Sequence, residues 1–134
     1  MIKQRICIVG DGLSGLMTAV ILSKVSGVEV NLIAKKGTKN ADKRTTAISD
    51  TNYKFINQNI KSLKQKLFWP SQKIDLFYET SKENINFLNL NEANSNLMYV
   101  FENDKIKSVL LKEISKNKIK SVSYTHLRAH ETLL

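Results

Sequence analysis

Three glycines near the start of the chain, Gly10, Gly12 and Gly15, have the spacing of a dinucleotide-binding turn. The first glycine of such a turn permits a tight bend after a strand, and the second lets the backbone approach a pyrophosphate. The third allows the following helix to pack closely on the strand. Because the N–H groups and the dipole at a helix N-terminus attract anions, the turn needs no basic side chain of its own. This pattern predicts a site for the pyrophosphate of a dinucleotide.

The residues on both sides of the glycines supply the elements that this turn requires. An apolar, strand-like run at residues 6–9 precedes Gly10, and a helix-compatible stretch at residues 16–24 follows Gly15. A second strand-like run at residues 28–33 completes a predicted β-α-β unit with parallel strands. The alternative that these residues leave open is that the glycines only mark the turn between a strand and a helix.

A polar, basic loop at residues 35–43 separates the β-α-β unit from a predicted helix. Ser49 or Asp50 would cap this helix, since either side chain can accept hydrogen bonds from the N–H groups of the first turn. Pro70 would end it. The apolar side chains at spacings of three and four, which predict one buried face, are Tyr53, Ile56, Ile60, Leu63 and Leu67.

Beyond Pro70 the pattern indicates short strands. Residues 74–79 and 85–90 are extended runs, and too few residues separate them for a parallel crossover. They are therefore predicted to pair as an antiparallel insertion.

A further apolar run at residues 99–101 precedes a second long predicted helix, which Asn103 or Asp104 would cap. Residues 118–121 would begin another strand. The apolar face expected for this helix consists of Ile106, Val109, Leu110 and Ile114.

Composition and charge exclude some classes of partner. The chain of 134 residues has a formal net charge of +9, but its lysines are dispersed and are not interleaved with aromatic residues. This predicts a solvated, lysine-rich surface and no nucleic-acid partner. No apolar run is long enough for a transmembrane helix. Cys7 is the single cysteine, so no internal disulfide can form, and it is predicted to be buried in the first strand of a cytoplasmic protein.

The last residues of the chain have a different character. Residues 122–132 resemble the translation of a transposon-type sequencing adapter. We therefore expect residues 122–134 to be a non-native tail that packs on nothing. His126 and His130 have the i, i+4 spacing of metal ligands on a helix, but they lie in this tail and are predicted to bind no metal.

Three sequence blocks together resemble the flavin-dependent aromatic monooxygenases, and within them the ubiquinone-biosynthesis hydroxylases. The first block is residues 6–15 with the helix that follows. The second, residues 42–49, is similar to the family's D-x-R-x-x-A-[IL]-S segment. The third, residues 99–103, is similar to the family's Y-V-x-E-N block. The second and third blocks are the more selective, because many dinucleotide enzymes share the first.

The resemblance implies an α/β fold: a Rossmann-like FAD-binding domain with a doubly wound parallel sheet, truncated, and with an antiparallel β insertion. Residues 1–73 would be the N-terminal part of this domain. Residues 74–98 would begin the insertion on the substrate side, and residues 99–121 would return to the FAD-binding domain. The chain is thus expected to be an N-terminal fragment, inactive by itself, since it lacks the family's late G-D motif for the ribitol and pyrophosphate.

The activity that the resemblance implies is that of an oxidoreductase, a FAD-dependent monooxygenase. It would use NADPH or NADH and oxygen to hydroxylate a polyprenylphenol-like aromatic ring. Such a protein would be cytoplasmic, and the resemblance is compatible with peripheral association at the inner membrane through a lipid substrate and with a multi-enzyme complex. No catalytic residue and no metal ligand is assigned. The residues assigned to FAD are Gly10, Gly12, Leu13, Ser14, Gly15, Ala34, Lys35, Arg44, Thr45 and Thr46.

Two short segments leave alternatives open. Ala34 stands where related fingerprints place an acidic residue for the adenosine ribose, and Lys35 and Lys36 follow it. Lys35 and Lys36 would suit a phosphorylated ribose, which keeps an NAD(P)-binding Rossmann oxidoreductase or a non-catalytic nucleotide-binding module as alternatives. Glu102 and Asn103 match positions near the cofactor in the family, and helix capping explains them equally well.

Overall fold

The computed structural model describes residues 3–35, 41–117 and 119–124. The chain divides into two compact units, one formed by Met1–Asp42 with Lys107–Leu134 and the other by Lys43–Ile106. A short 3-10 helix lies at Gln65–Leu67. The strands and α-helices in chain order are β1 (Gln4–Val9), α1 (Leu13–Leu22), β2 (Val28–Lys35), β3 (Thr45–Ser49), α2 (Asp50–Asn59), β4 (Trp69–Ser71), β5 (Lys73–Glu79), β6 (Asn84–Asn91), β7 (Met98–Glu102), α3 (Asn103–Lys116) and β8 (Lys120–Tyr124).

The first unit contains a parallel sheet with the strand order β1-β2-β8. Ile6 pairs with Val30 and Ile8 with Leu32, so the apolar residues of both strands lie on the same face. Helix α1 contacts both strands, and its buried side chains are Leu16, Ala19 and Val20. These elements confirm the predicted β-α-β unit and the α/β class. The doubly wound arrangement stays a prediction.

The prediction that Cys7 is buried is wrong, because its thiol-bearing side chain is exposed. β1 borders the sheet as described, and Cys7 shares a face with Arg5. That face carries charge: Arg5 Nε lies 3.7 Å and Lys120 Nζ 2.8 Å from the carboxylate of Glu29. The hydrogen bond from Lys120 lowers the pKa of Glu29 below its ordinary value. Cys7 therefore lies on an exposed face of the sheet whose neighbouring side chains are charged.

Strand β8 extends into the predicted tail. Val122 pairs with Ile33 and Ser123 with Ala34, so residues 122–124 do not behave as a tail that packs on nothing. The ladder is made by backbone groups, which any sequence except proline supplies, and this explains why the composition did not reveal it. Residues 125–134, with His126 and His130, lie outside the described residues.

Ending the chain after Ser121 should therefore lower its free energy of unfolding by about 2 kcal/mol, because each lost backbone hydrogen bond contributes about 1 kcal/mol. The matched control ends after Tyr124, keeps β8 intact and should change stability by less than about 0.5 kcal/mol. Chemical denaturation of both shortened chains measures the difference. Equal stability of the two would show that the ladder between β8 and β2 contributes nothing.

The second unit is organised around an antiparallel sheet with the strand order β3-β7-β4. Four aromatic residues form a cluster here, and two of them belong to β7. The rings of Tyr53 and Tyr99 stack at a centroid distance of 3.7 Å, and Phe68 meets Tyr53 at 5.1 Å and Phe101 at 5.5 Å, edge to face. Edge-to-face and offset pairs of this kind add about 1 kcal/mol each beyond the burial of their surface.

Helix α2 begins as predicted and ends earlier. The Ser49 hydroxyl caps it by accepting a hydrogen bond from the N–H of Asn52, at 3.2 Å. The helix ends at Asn59, not at Pro70, because Ile60 has a non-helical backbone with φ of −124°. Ile60 and Leu63 are nevertheless fully buried. The apolar spacing was therefore a correct guide to the core and an incorrect guide to the helix.

The predicted antiparallel pair is present as the hairpin of β5 and β6, with a register shift between Leu76 and Phe77. Its apolar side chains are exposed on both faces: Phe77 is 57% exposed, and Tyr78 and Phe87 are each 62% exposed. None of the helices in the described part of the chain has the length and apolar character of a membrane span.

Candidate dinucleotide-binding turn

The absence of a side chain has a different consequence at each of the three glycines of the turn. Gly10 has a φ of +113°, which residues with a side chain rarely adopt, and its N–H donates to the carbonyl of Ile33 at 2.8 Å. A Cβ on Gly15 would lie 2.3 Å from the carbonyl oxygen of Gly10, so the helix packs directly on the turn. At Gly12, by contrast, a Cβ would meet no atom within 4 Å. The turn thus has a tight bend, a close helix contact and one open backbone position.

The open position lies at the start of α1. Gly12 is the N-cap residue of this helix, has an extended backbone and supplies no side-chain cap. The first turn of α1 contains no acidic side chain. Because the first N–H groups of an α-helix have no partner within the helix, Leu13, Ser14 and Gly15 present donors at a positive dipole end. Such an end can bind a phosphate group.

The end of β2 lies at the same edge of the sheet as the turn. Val9 pairs with Ile33, and Ala34 and the exposed Lys35 follow directly. The parallel register therefore brings these two predicted residues beside Gly10. Lys36, the second lysine of the NADP alternative, lies outside the described residues.

A charged pair at the turn was not expected from the sequence. Asp11 stands between two of the glycines, and its Oδ2 lies 3.5 Å from Nζ of Lys107, the residue 96 positions later in α3. The sequence did not predict this contact, because no local pattern indicates that α3 lies close to the turn after β1.

The other predicted site residues belong to the second unit, where two of the sequence blocks meet. β3 pairs with β7 so that Thr45 lies opposite Glu102 and Thr46 opposite Phe101. The N–H of Asn103 donates to the carbonyl of Arg44 at 3.0 Å. The blocks at residues 42–49 and 99–103, which the sequence separates widely, are therefore neighbours in one ladder.

A side-chain hydrogen bond joins the same two blocks. The Thr46 hydroxyl donates to Oδ1 of Asn103 at 2.6 Å, and Asn103 is only 7% exposed. Glu102 instead forms a surface ion pair with Lys105, 2.9 Å apart. Asn103 is the first residue of α3, so it both begins the helix and holds β3. Arg44 and Thr45 are exposed, whereas Thr46 is half-buried.

Comparison with known proteins gives a fold and no family. No protein-family model and no curated protein matches the chain. Among solved structures, p-nitrophenol 4-monooxygenase from Pseudomonas putida DLL-E4 is similar with a TM-score of 0.66 at 16% identity, over 91% of this chain and 32% of that one. The tetrameric form of 2-methyl-3-hydroxypyridine-5-carboxylic acid oxygenase is similar with a TM-score of 0.64 at 12% identity, over 90% and 31%.

A third similar structure has a different activity. It is the Diels-Alderase PyrE3 of pyrroindomycin biosynthesis, with a TM-score of 0.63 at 16% identity, over 90% of this chain and 25% of that one. The chain has the fold of a part of these proteins. It spans no more than about a third of the length of each of the three.

Proposed function

We propose that this chain binds FAD through its glycine turn and forms part of a flavoprotein monooxygenase that acts on an aromatic ring. The geometry of the turn carries the proposal: Gly10 bends the chain, Gly15 admits the helix and Gly12 leaves the backbone open to a pyrophosphate. Two similar structures are an oxygenase of a hydroxypyridine and a monooxygenase of a nitrophenol. Both named substrates are aromatic rings, which supports the choice of reaction.

In this proposal the protein's residues bind and orient the cofactor. The N–H groups of Leu13, Ser14 and Gly15 would donate to the pyrophosphate, which would lie against the backbone of Gly12. FAD, once reduced by NADPH or NADH, would supply the oxygen chemistry. The described residues include none that we assign as a catalytic acid or base.

The finer proposal, a hydroxylase of polyprenylphenol-like rings in ubiquinone biosynthesis, rests on the resemblance of the second and third sequence blocks. Their pairing in one ladder supports a shared role. In this proposal Arg44 contributes its guanidinium to phosphate or ribose oxygens of FAD, and Thr45 and Thr46 bring backbone to the flavin. A lipid substrate would place the protein at the periphery of the inner membrane, in a complex with other enzymes.

An NADP-binding oxidoreductase is the second candidate, and the end of β2 favours it. Ala34 offers no carboxylate to the ribose hydroxyls, and the exposed ammonium of Lys35 would attract a ribose phosphate. The Diels-Alderase among the similar structures also shows that this fold is not restricted to oxygenases.

Titration of the purified chain with FAD and with NADP⁺ tests the proposal. We expect saturable quenching of FAD fluorescence and no competition by NADP⁺. Binding of NADP⁺ with no uptake of FAD would overturn the flavoprotein proposal and assign Lys35 to the ribose phosphate. Failure to bind either ligand would overturn both candidates.

Replacing Arg44 by alanine should weaken FAD binding about tenfold. A charge-assisted hydrogen bond contributes about 1.5 to 3 kcal/mol, and the exposure of Arg44 places the effect at the lower end. Arg44→Lys keeps the charge without the planar fork and should retain part of the affinity. Arg5→Ala, at an exposed arginine of the first unit, is the control and should leave binding unchanged. Equal dissociation constants for Arg44→Ala and the unaltered chain would remove Arg44 from the site.

A further inference from the structure

The candidate phosphate turn contains a carboxylate. Asp11 lies between Gly10 and Gly12, and its side chain is 43% exposed. A negative charge beside a pyrophosphate opposes binding, and the opposition is long-ranged enough to act without direct contact. A turn that binds a dinucleotide therefore needs something to offset this charge.

Helix α3 supplies a cation at this point. Nζ of Lys107 lies 3.5 Å from Oδ2 of Asp11, and the lysine side chain is 36% exposed. A separation of 3.5 Å is long for a hydrogen bond, so the attraction is mainly Coulombic and leaves both groups hydrated. The pair gives the turn no net charge, although a carboxylate stands inside it.

We propose that Lys107 is the counter-ion of the phosphate turn, and that the charge balance of Lys107 and Asp11 sets the affinity for the pyrophosphate of the ligand. This inference rests on the proposed function for the identity of the ligand. Two other cations on the sheet of this unit, Arg5 and Lys120, lie away from the turn. They pair with Glu29 near the start of β2, whereas the turn follows the opposite end of β1. Lys35 lies at the end of β2 beside Gly10, but it forms no ion pair with Asp11 in the described part of the chain.

The proposal makes two substitutions act in opposite directions. Lys107→Gln leaves the carboxylate uncompensated and should weaken FAD binding about fivefold. Asp11→Asn leaves the ammonium uncompensated and should strengthen binding about fivefold. These effects correspond to one unit charge several ångströms from the phosphates in a largely hydrated site. The double variant restores the balance and should bind FAD about as tightly as the unaltered chain.

The test is a set of FAD titrations of the unaltered chain, the two single variants and the double variant, at low and high salt. ADP carries the same kind of diphosphate and should show the same order of affinities, whereas adenosine should show none of these differences. High salt should compress them. Lys120→Gln breaks a comparable ion pair near the start of β2 and is the matched control, expected to change FAD affinity less than about 1.5-fold. Circular dichroism verifies that every variant is folded.

Each outcome decides the matter. Opposite shifts for the two single variants, with recovery in the double variant, support the counter-ion role. If both single variants weaken binding, the pair is only a structural clamp and the proposal is wrong. If neither changes binding while the unaltered chain binds FAD, the proposal is also wrong and the proposed function stands. If the unaltered chain binds neither FAD nor ADP, the proposed function fails and this inference fails with it.

Discussion

Replacing Gly15 by alanine is expected to destabilise the chain by about 2 kcal/mol or more. The added Cβ would lie 2.3 Å from the carbonyl oxygen and 3.2 Å from the carbonyl carbon of Gly10, and both atoms belong to the backbone. A flexible side chain could move away, but here the turn or the helix must shift, and overpacking costs up to about 3 kcal/mol, occasionally more. Alanine gains about 1 kcal/mol in helix propensity, which offsets only part of that loss.

Gly12→Ala is the matched control, because it adds the same methyl group to the same turn. Its Cβ would meet no atom within 4 Å, and its φ of −68° suits any residue. The control should change the free energy of unfolding by less than about 1 kcal/mol, the scale of an N-cap substitution. Denaturation curves for the two variants provide the measurement. A Gly15→Ala variant as stable as Gly12→Ala would contradict the close packing of α1 on the turn.

Gly12→Val should abolish detectable FAD binding while leaving the fold intact. The extended backbone at Gly12 accommodates valine, and the space around its Cβ is empty in the structure. In the proposed complex that space belongs to the pyrophosphate, so the branched side chain would separate the phosphate oxygens from the helix N–H groups. Losing two charge-assisted hydrogen bonds of about 1.5 kcal/mol each reduces the affinity by more than about 100-fold.

Calorimetric titration measures the loss of FAD affinity in Gly12→Val. A thermal unfolding curve of the same sample shows whether the variant is still folded. The informative comparison is with Gly15→Ala, which should lose stability and binding together. A Gly12→Val variant that retained FAD would remove the pyrophosphate from this turn and, with it, the observation on which the proposed function depends.

Local patterns were sufficient for much of the fold. The glycine spacing and the two apolar runs predicted β1, α1 and β2, because each of these elements is determined by a few neighbouring residues. Ser49 was a correct capping candidate for the same reason. The hairpin of β5 and β6 was predicted from two extended runs and the short segment between them, which is too short for a parallel crossover.

The parts that the sequence did not predict depend on distant residues. β3 was not predicted, since the segment Thr45–Ser49 is short and is defined as a strand by its pairing with β7. The hydrogen bond between Thr46 and Asn103 spans 57 positions. The ion pair of Asp11 and Lys107 spans 96. No periodicity encodes contacts at such separations, so these features of the candidate sites required the structure. The binding roles of the predicted FAD residues stay predictions.

The hairpin of β5 and β6 has its two ends tied together. Ser71 pairs with Met98, and its carbonyl accepts a hydrogen bond from the N–H of Leu97, so the chain leaves the β4–β7 ladder and rejoins it at adjoining residues. The entropy of closing a loop rises only slowly with its length. The segment between these anchor points can consequently be lengthened, shortened or exchanged for another without altering the register beneath it. In engineering terms it is a cassette, through which a new surface can be introduced while the aromatic core of the second unit stays unchanged.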